Sequence, residues 1–527
     1  MVDQKLISAA IWIIGLILVP FALTNALEGN TIFLLVIGGF SFLLFVFFIL
    51  KDAACALPIL GIFFTGKLNF LPFGLTATAV FTIALIVYFF FAYFALKQRS
   101  LSSGPSFLFI PLLVITVIVA YHNRKVGLHA MGSDAEGSAM GLIMLLGSIA
   151  YICGASMSSP SNAFWARLPW YCTLMAVVSN MPNVLTTIFP SLAPYLYHLT
   201  DAVNVEAYRE SLGMDIDVTR ASGLAGIGSF MEVFLLAYYP IHTWWRPHRW
   251  WVPIMLMVCL IFTLSGGYRS LVVLFGLVLV LAMWCYYTWK SLFILPVALV
   301  LAYGLSLCAQ SGLVPLPTSV QRSLSFLPGA WDSEAVASAD ASNAFRDNIT
   351  KVYVSEELYK SPWIGTGFTF DTNLHDMYID LARTSDTFDH YYMAKVFITG
   401  KTYHVGWISL YDMVGLIGGT AFIALAVNMI GMASRFVRNQ VDHQSPFFPL
   451  KVWIFCNIAH EFVAYFTLFG DIRYTFPEIC AYCIVLVHLD RMERRENLKT
   501  TLPALQKQED IRNLGRVASE PSFLRPV

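Results

Sequence analysis

Charged residues are scarce in this sequence. Lys, Arg, Asp and Glu make up 13% of the 527 residues, whereas hydrophobic residues make up 57%. A typical soluble domain has about 25% charged and about 45–50% apolar residues. Because so little charge cannot cover a soluble globule of this size, the composition excludes a soluble enzyme, a disordered chain and a nucleic-acid-binding protein. It favours a polytopic membrane protein.

The sequence also lacks an excess of either charge and a cysteine pattern typical of disulfides. It has 33 Lys plus Arg and 33 Asp plus Glu, so an anion must be bound by a few placed residues. The nine cysteines all fall in apolar runs, whereas a disulfide framework would place them in polar loops. Cys480 and Cys483 have redox or metal-site spacing, but no second pair accompanies them, and we expect two small residues that face lipid or another helix.

Long apolar runs recur along the chain. A helix needs about 20 apolar residues to cross a bilayer. Such runs cover residues 6–27, 31–50, 75–96, 106–121, 139–157, 168–190, 221–240, 251–264, 270–289, 292–308, 405–432, 447–469 and 474–489. Residues 53–64 form a shorter run that contains Pro58 and either spans or re-enters. The sequence therefore predicts an all-α, polytopic transmembrane helical bundle of about 12–14 spans.

The positive charges predict the orientation of these spans. Lys and Arg in short loops favour the side of the N-terminus by about two to one, so both termini are expected in the cytoplasm. Residues 309–403 then form one large extracytoplasmic loop, which is rich in aromatic residues and should fold as short helices. The predicted organisation is an N-terminal bundle (1–308), this loop domain (309–403), C-terminal transmembrane helices (404–489) and a cytoplasmic tail (490–527).

Three arginines lie at the outer ends of predicted spans. Arg220 opens one span and is followed by Gly223, Gly226 and Gly228, small residues that permit close approach to the first helical turns. Arg269 lies in a Ser-Gly-Gly-Tyr-Arg hairpin between two spans. Each arginine could simply be a charged residue at the membrane interface. Three arginines at the same depth favour a pocket for a pyrophosphate, since guanidinium groups bind phosphate oxygens in a two-pronged geometry.

The third of these arginines, Arg473, lies between the last two predicted spans, and His404 stands at the start of the span that closes the long loop. A neutral imidazole facing the same pocket could accept a proton from a sugar hydroxyl. The alternative is an interfacial histidine of the aromatic belt, beside Tyr403 and Trp407. The sequence leaves both open.

Other polar residues have weaker patterns. His460 and Glu461 lie inside a predicted span, where they could form a proton path or an interhelical polar clamp. The His and Asp residues of the long loop match no zinc or calcium spacing, and we expect no metal and no cofactor.

Taken in order, these motifs resemble the O-antigen ligase and O-antigen polymerase superfamily. The ordered set comprises Arg220-Ala-Ser-Gly before a span, Ser-Gly-Gly-Tyr-Arg269 between spans, and Arg346 in the long loop. A Pro362-x-x-Gly-x-Gly turn follows, and then His404 with Gly415-Leu-Ile-Gly in the next span. The resemblance covers roughly residues 215–480. Val405 stands where the family commonly has Asn.

The resemblance implies a fold similar to that of the C-type glycosyltransferases and an activity in the bacterial inner membrane. Such an enzyme transfers a glycan from an undecaprenyl-pyrophosphate carrier to a lipid or glycan acceptor, with its active site facing the periplasm and without a metal. It implies that Arg220 and Arg269 bind the pyrophosphate, that Arg346 assists from the loop and that His404 is the base. Arg473 is added here from its position.

Three functional hypotheses follow. We favour an O-antigen ligase of lipopolysaccharide biosynthesis, because His404 stands as a single base at a span start. A polymerase of O-antigen or exopolysaccharide is the alternative within the superfamily. A secondary transporter or flippase of a lipid-linked substrate is the alternative from another class, and His460 and Glu461 favour it. Convergence of Arg220, Arg269 and His404 in one outward cavity would support the transferase.

Overall fold

The computed structural model is helical throughout its described part. It describes residues 46, 50–64, 66–69, 76–94, 106–122, 138–214, 220–244, 246–287, 303–304, 307, 310, 316–368, 371–384, 390–439 and 445–518. The predicted span at 6–27 and nearly all of those at 31–50 and 292–308 lie outside these residues. Within them, extended pairing is limited to two isolated bridges, Lys67 with Thr76 and Leu68 with Thr200.

The helices of the first half follow the apolar runs closely. They are α1 (Leu57–Ile62), α2 (Ala77–Phe94), α3 (Ser106–His122), α4 (Ser138–Ser156), α5 (Asn162–Ile188), α6 (Ala193–Tyr197), α7 (Val205–Ser211), α8 (Ser222–Tyr238), α9 (Trp251–Ser265) and α10 (Arg269–Tyr287). Pro58 lies near the start of α1, where its missing N–H costs no hydrogen bond. The run at 53–64 is thus a 3₁₀ turn (Lys51–Ala56) continued by a helix of six residues.

The second half contains the loop region and three long helices. The loop helices are α11 (Thr318–Leu324), α12 (Ser333–Glu356), α13 (Thr372–Thr384) and α14 (His390–Thr399), followed by α15 (Gly406–Arg438), α16 (Phe448–Thr467) and α17 (Ile472–Ala518). The described loop is therefore helical, as its aromatic content predicted. Asp332 caps α12 by accepting a hydrogen bond from the Glu334 amide.

Within the described residues, four helices are long and apolar enough to cross a membrane. These segments are Ala77–Phe94, Arg269–Tyr287, Gly406–Arg438 and Ile472–Arg495, and four shorter apolar helices accompany them (Leu108–His122, Gly141–Ser156, Ser222–Tyr238 and Trp251–Ser265). The Ile472–Arg495 segment is buried over 89% of its apolar window and is the most enclosed of the four. Its Cys480 and Cys483 side chains are buried in the core, as expected for small packing residues.

Helix α15 is broken at Gly415. The backbone there has φ 65° and ψ −168°, which is not helical and is essentially restricted to glycine. The sequence predicted an uninterrupted span over residues 405–432. Instead, residues 406–414 and 416–438 are two helical segments, and the break gives the loop region a point of attachment.

Candidate functional site

The loop turn that begins at Pro362 docks into the break of α15. The Leu416 and Ile417 amides donate to the carbonyls of Pro362 and Trp363 at 2.9 and 3.0 Å. In a continuous helix they would donate to the carbonyls of the residues four positions earlier. Those carbonyls, of residues 412 and 413, accept instead from the amides of residues 366 and 367. The turn thus replaces the helical hydrogen bonds that the break removes.

Glycine is required on both sides of this contact. A Cβ on Gly365 would lie 2.6 Å from the Asp412 carbonyl oxygen, and one on Gly415 would lie 2.4 Å from the Gly365 nitrogen. Gly365 and Gly367 also have positive φ, 81° and 84°. The Pro-x-x-Gly-x-Gly and Gly-Leu-Ile-Gly motifs are therefore two halves of one backbone joint, which fixes the loop region to the C-terminal helices.

Arg220 and Arg322 meet at Gly267, in the hairpin between α9 and α10. A Cβ on Gly267 would lie 3.5 Å from Arg220 Cγ and 3.7 Å from Arg322 Nη1. Arg322 is 6% exposed and donates from Nη1 to the Gly267 carbonyl at 2.8 Å. The Arg220 guanidinium lies 5.4 Å above the Tyr268 ring, a cation–π distance. Sequence reasoning missed Arg322, which lies on the short loop helix α11.

Arg269 and Arg322 both donate hydrogen bonds to helix α12. Arg269 Nη2 donates to the Ala339 carbonyl at 2.5 Å, and Arg322 Nη2 donates to the Ser342 hydroxyl at 3.0 Å. Ala339, Ser342 and Arg346 follow each other at spacings of three and four residues, so they share one face of α12. This face therefore carries Arg346 and receives hydrogen bonds from Arg269, at the start of α10, and from Arg322 of α11.

The electrostatic coupling of these arginines indicates a concentration of positive charge. Burial, followed by the charges of Arg220 and Arg269, lowers the pKa of Arg322 to about 10. Burial and the charge of Arg269 lower the pKa of Arg346. Within the described residues, none of the four forms an ion pair with Asp or Glu, and the Nε atoms of Arg220 and Arg322 are buried without a hydrogen-bond partner. Guanidinium groups are donors of the kind that bind anions such as phosphates.

His404 lies beside helix α12, near Arg346. Its ring centroid is 6.5 Å from that of Phe345, the neighbour of Arg346, and 5.6 and 5.0 Å from those of Phe397 and Phe469. Burial lowers the pKa of His404, and the charge of Arg346 lowers it further. The imidazole is therefore held neutral near pH 7, which a proton acceptor requires.

Arg473 is engaged differently from the other predicted arginines. Its Nη2 donates to Asp471 Oδ2 at 2.6 Å and its Nε to both carboxylate oxygens at 3.0 and 3.1 Å, so its charge is balanced within the chain. It also lines a cavity of about 470 Å³ together with Lys67, Asp201 and Glu478. The charge of Arg473 nevertheless contributes to lowering the pKa of His404. Arg473 is thus a neighbour of His404 with an ion-pair partner of its own.

The glycines that follow Arg220 serve helix packing. A Cβ on Gly223 would lie 2.7 Å from Asn183 Cβ, and one on Gly228 would lie 2.6 Å from the Cys259 carbonyl oxygen. The Gly223 amide donates to Asn183 Oδ1 at 2.8 Å. The close approach that the sequence indicated is therefore made by α5 and α9, and this part of the helix N-terminus is already hydrogen-bonded.

His460 and Glu461 lie on α16, apart from the contacts that join the arginines and His404. Glu461 Oε1 accepts a hydrogen bond from the Thr475 hydroxyl at 3.3 Å, and its charge reaches Glu478 of α17. Within the part of the chain that the structure describes, no three His, Cys, Asp or Glu side chains are close enough to hold a metal ion.

Comparisons with known proteins add no assignment. No model of a known protein family matches the chain, and no curated protein matches it either.

Proposed function

We propose that this chain is an inner-membrane glycosyltransferase that takes a glycan from undecaprenyl pyrophosphate and transfers it to an acceptor hydroxyl on the outer face. The proposal includes a bundle of about 12–14 spans and a C-type glycosyltransferase fold. The observation that carries it is the cluster of Arg220, Arg269, Arg322 and Arg346, none of which forms an ion pair with a carboxylate among the described residues. Glu206 accepts a hydrogen bond from the Arg220 backbone amide, and its charge acts on Arg322 less strongly than those of Arg220 and Arg269 do. A lipid-linked diphosphate is an anion of matching charge that reaches such a site sideways from the bilayer.

The chemistry needs two contributions from the chain. Polyprenyl pyrophosphate is a good leaving group, so its developing negative charge must be neutralised, and arginines preorganised in a partly dry site do this. His404 removes the proton from the attacking hydroxyl. Attack from the face opposite the pyrophosphate inverts the anomeric carbon, and the proton passes to the imidazole as the diphosphate departs.

Gene deletion and complementation test this function. We expect His404→Ala to lower glycan transfer on the order of 10²–10⁴-fold and Arg269→Ala on the order of 10²–10³-fold, with unchanged membrane abundance. Arg269→Lys should also lose activity, because a lysine cannot provide the two-pronged contact. Arg209→Ala, an exposed arginine on α7, is the matched control. Full transfer by both His404→Ala and Arg269→Ala would refute the proposal.

The glycans that accumulate after deletion distinguish ligase from polymerase. Long glycan chains that remain on the undecaprenyl carrier indicate an O-antigen ligase, the form that we propose. Single repeats attached to the lipopolysaccharide core indicate the polymerase alternative.

A transporter or flippase remains the second candidate, and the proximity of Glu461 and Glu478 favours it. Paired carboxylates inside spans are common in proton-coupled transport. The double variant Glu461→Gln/Glu478→Gln separates the two functions. The transferase should retain transfer in this variant, whereas a proton-coupled transporter should lose its flux.

A further inference from the structure

The turn that carries His404 has an unusual backbone. Lys401 and His404 both have left-handed φ angles, 58° and 53°, although neither is glycine. Such conformations persist only where the surrounding structure holds them in place. The His404 ring itself has aromatic neighbours, and no hydrogen bond to it occurs within the described residues. The position of the imidazole therefore depends on the contacts that hold the 401–404 turn in place.

One buried carboxylate holds the turn. Asp412, on the first segment of α15, is 4% exposed, and its Oδ2 pairs with the Lys401 ammonium group. The same oxygen accepts hydrogen bonds from the Tyr403 hydroxyl at 2.5 Å and the Thr366 hydroxyl at 2.8 Å. Two of the four residues in the 401–404 turn, Lys401 and Tyr403, are thus tied to one atom, on either side of Thr402 and directly before His404.

The same carboxylate also reaches the arginine face. The Tyr353 hydroxyl donates to Asp412 Oδ1 at 3.4 Å. Tyr353 lies seven residues after Arg346 on α12, which is two helical turns along the same face. Asp412 therefore connects the turn that carries the base, the Thr366 turn of the backbone joint and the helix that gathers the guanidinium groups.

We propose that Asp412 is a positioning residue that sets His404 at its working distance from the arginine cluster. Asp412 acts through the Lys401–His404 turn and touches no reacting atom. It is also absent from the groups whose charge acts on His404, which are Arg346, Asp471 and Arg473. The inference rests on the proposed transferase function. Asp412 sets the placement of His404, whereas Arg346, Asp471 and Arg473 act on its protonation.

Two variants test this role. Lys401→Met/Asp412→Asn removes the ion pair without leaving an unpaired buried charge, and Tyr403→Phe removes one hydrogen bond while keeping the ring. Initial transfer rates are measured across pH in membranes of the deletion strain, with its accumulated undecaprenyl-pyrophosphate glycan as donor. We expect kcat to fall on the order of 10²-fold for the double variant, since small misplacements of a catalytic group cost about this much. We expect a smaller fall for Tyr403→Phe.

Two further readouts distinguish positioning from a structural role. Affinity for undecaprenyl pyrophosphate and the pH midpoint of the rate should stay at their wild-type values. Lys395→Met/Glu357→Gln is the matched control, because it removes another buried ion pair, between Lys395 of α14 and Glu357 directly after α12, that makes no described hydrogen bond to residues 401–404. The carboxylate of Glu356, which also pairs with Lys395, is solvent-exposed. This control should keep wild-type kcat.

The proposal is overturned if both test variants keep wild-type kcat while His404→Ala abolishes transfer, or if their pH midpoint moves. If His404→Ala retains transfer, the proposed role of His404 as the base is wrong. This outcome is distinct from failure of the Asp412 proposal.

Discussion

Arg322 is the most enclosed of the four clustered arginines, and the charges of Arg220 and Arg269 act against its protonation more strongly than that of Glu206 favours it. Like charges held together in a partly dry site raise the free energy of the unliganded state, and an anion relieves this repulsion. Repulsion between the guanidinium groups of the empty cluster therefore favours binding of a ligand with several negative charges. Arg322 contributes most to that preference, because its guanidinium is anchored on Gly267 and Ser342.

Substitution of Arg322 should weaken binding of the donor headgroup. We expect Arg322→Gln to lower the affinity for undecaprenyl pyrophosphate about 10- to 100-fold, because hydrogen bonds to charged groups contribute about 1.5–3 kcal/mol. Binding to purified protein is the measurement, and Arg209→Gln is the control. Equal affinity for the wild type and Arg322→Gln would show that Arg322 lies outside the binding site.

The protonation of His404 gives a second residue-scale prediction. Its pKa is lowered by burial and by Arg346, so the transfer rate should rise with pH through a midpoint below the ordinary histidine value of about 6.5. Arg346→Gln removes a cation that opposes protonation, so the pKa of His404 should rise and the rising limb should shift to higher pH. Arg346→Lys should leave the midpoint in place. A midpoint that is the same in all three proteins would contradict this coupling.

Sequence alone indicated Arg220, Arg269, Arg346 and His404, because each stands beside a span end or a motif. It could not indicate Arg322, since α11 must fold back onto the α9–α10 hairpin before its arginine reaches Gly267, and no local pattern encodes that contact. Asp412 was missed for a similar reason. Its partners lie up to 59 residues away in the chain, so only the tertiary structure brings them together.

At the scale of elements, the joint between the Pro362 turn and the break in α15 positions the site. The sequence identified each glycine motif separately. It did not show that they exchange hydrogen bonds, because an apolar run such as 405–432 is equally compatible with a continuous helix. The break follows from backbone contacts made across about 50 residues, which helical periodicity does not report.

Gly415 should tolerate no side chain. We expect Gly415→Ala to lower the melting temperature and glycan transfer together, since the strained backbone costs roughly 1–3 kcal/mol and the new methyl group would displace the turn. Gly419→Ala is the matched control, one turn further along. A Cβ there would lie 3.7 Å from Leu410 Cγ, an ordinary contact, so stability should hold or rise. Wild-type stability of Gly415→Ala would contradict the joint.

At the scale of the whole molecule, the arginine cluster and His404 share the face formed by the loop region. Positive-charge counting predicts that this face lies outside the cytoplasmic membrane. The helices at 77–94, 106–122 and 269–287 begin and end close to the predicted apolar runs. Runs of apolar residues predict where such spans begin and end, whereas the packing of the spans depends on contacts that a single sequence does not show.

Sidedness is testable by cysteine labelling, because all described free cysteines are buried and should react little. A membrane-impermeant maleimide should label Tyr359→Cys, in the loop region, in spheroplasts with intact inner membranes. It should label Arg494→Cys, near the C-terminus, only after lysis. The native side chains at these positions are 81% and 75% exposed, so access is comparable. The reverse pattern would place the site in the cytoplasm.

The central claim is that the arginine cluster holds a lipid-linked diphosphate, and direct binding of undecaprenyl pyrophosphate tests it most closely. The purified protein should bind this lipid more tightly than undecaprenyl monophosphate, because the second phosphate engages additional guanidinium groups. Arg269→Ala should abolish the difference, whereas Arg209→Ala should keep it. Equal affinity of the wild type for the two lipids, or an undiminished preference in Arg269→Ala, would contradict the account.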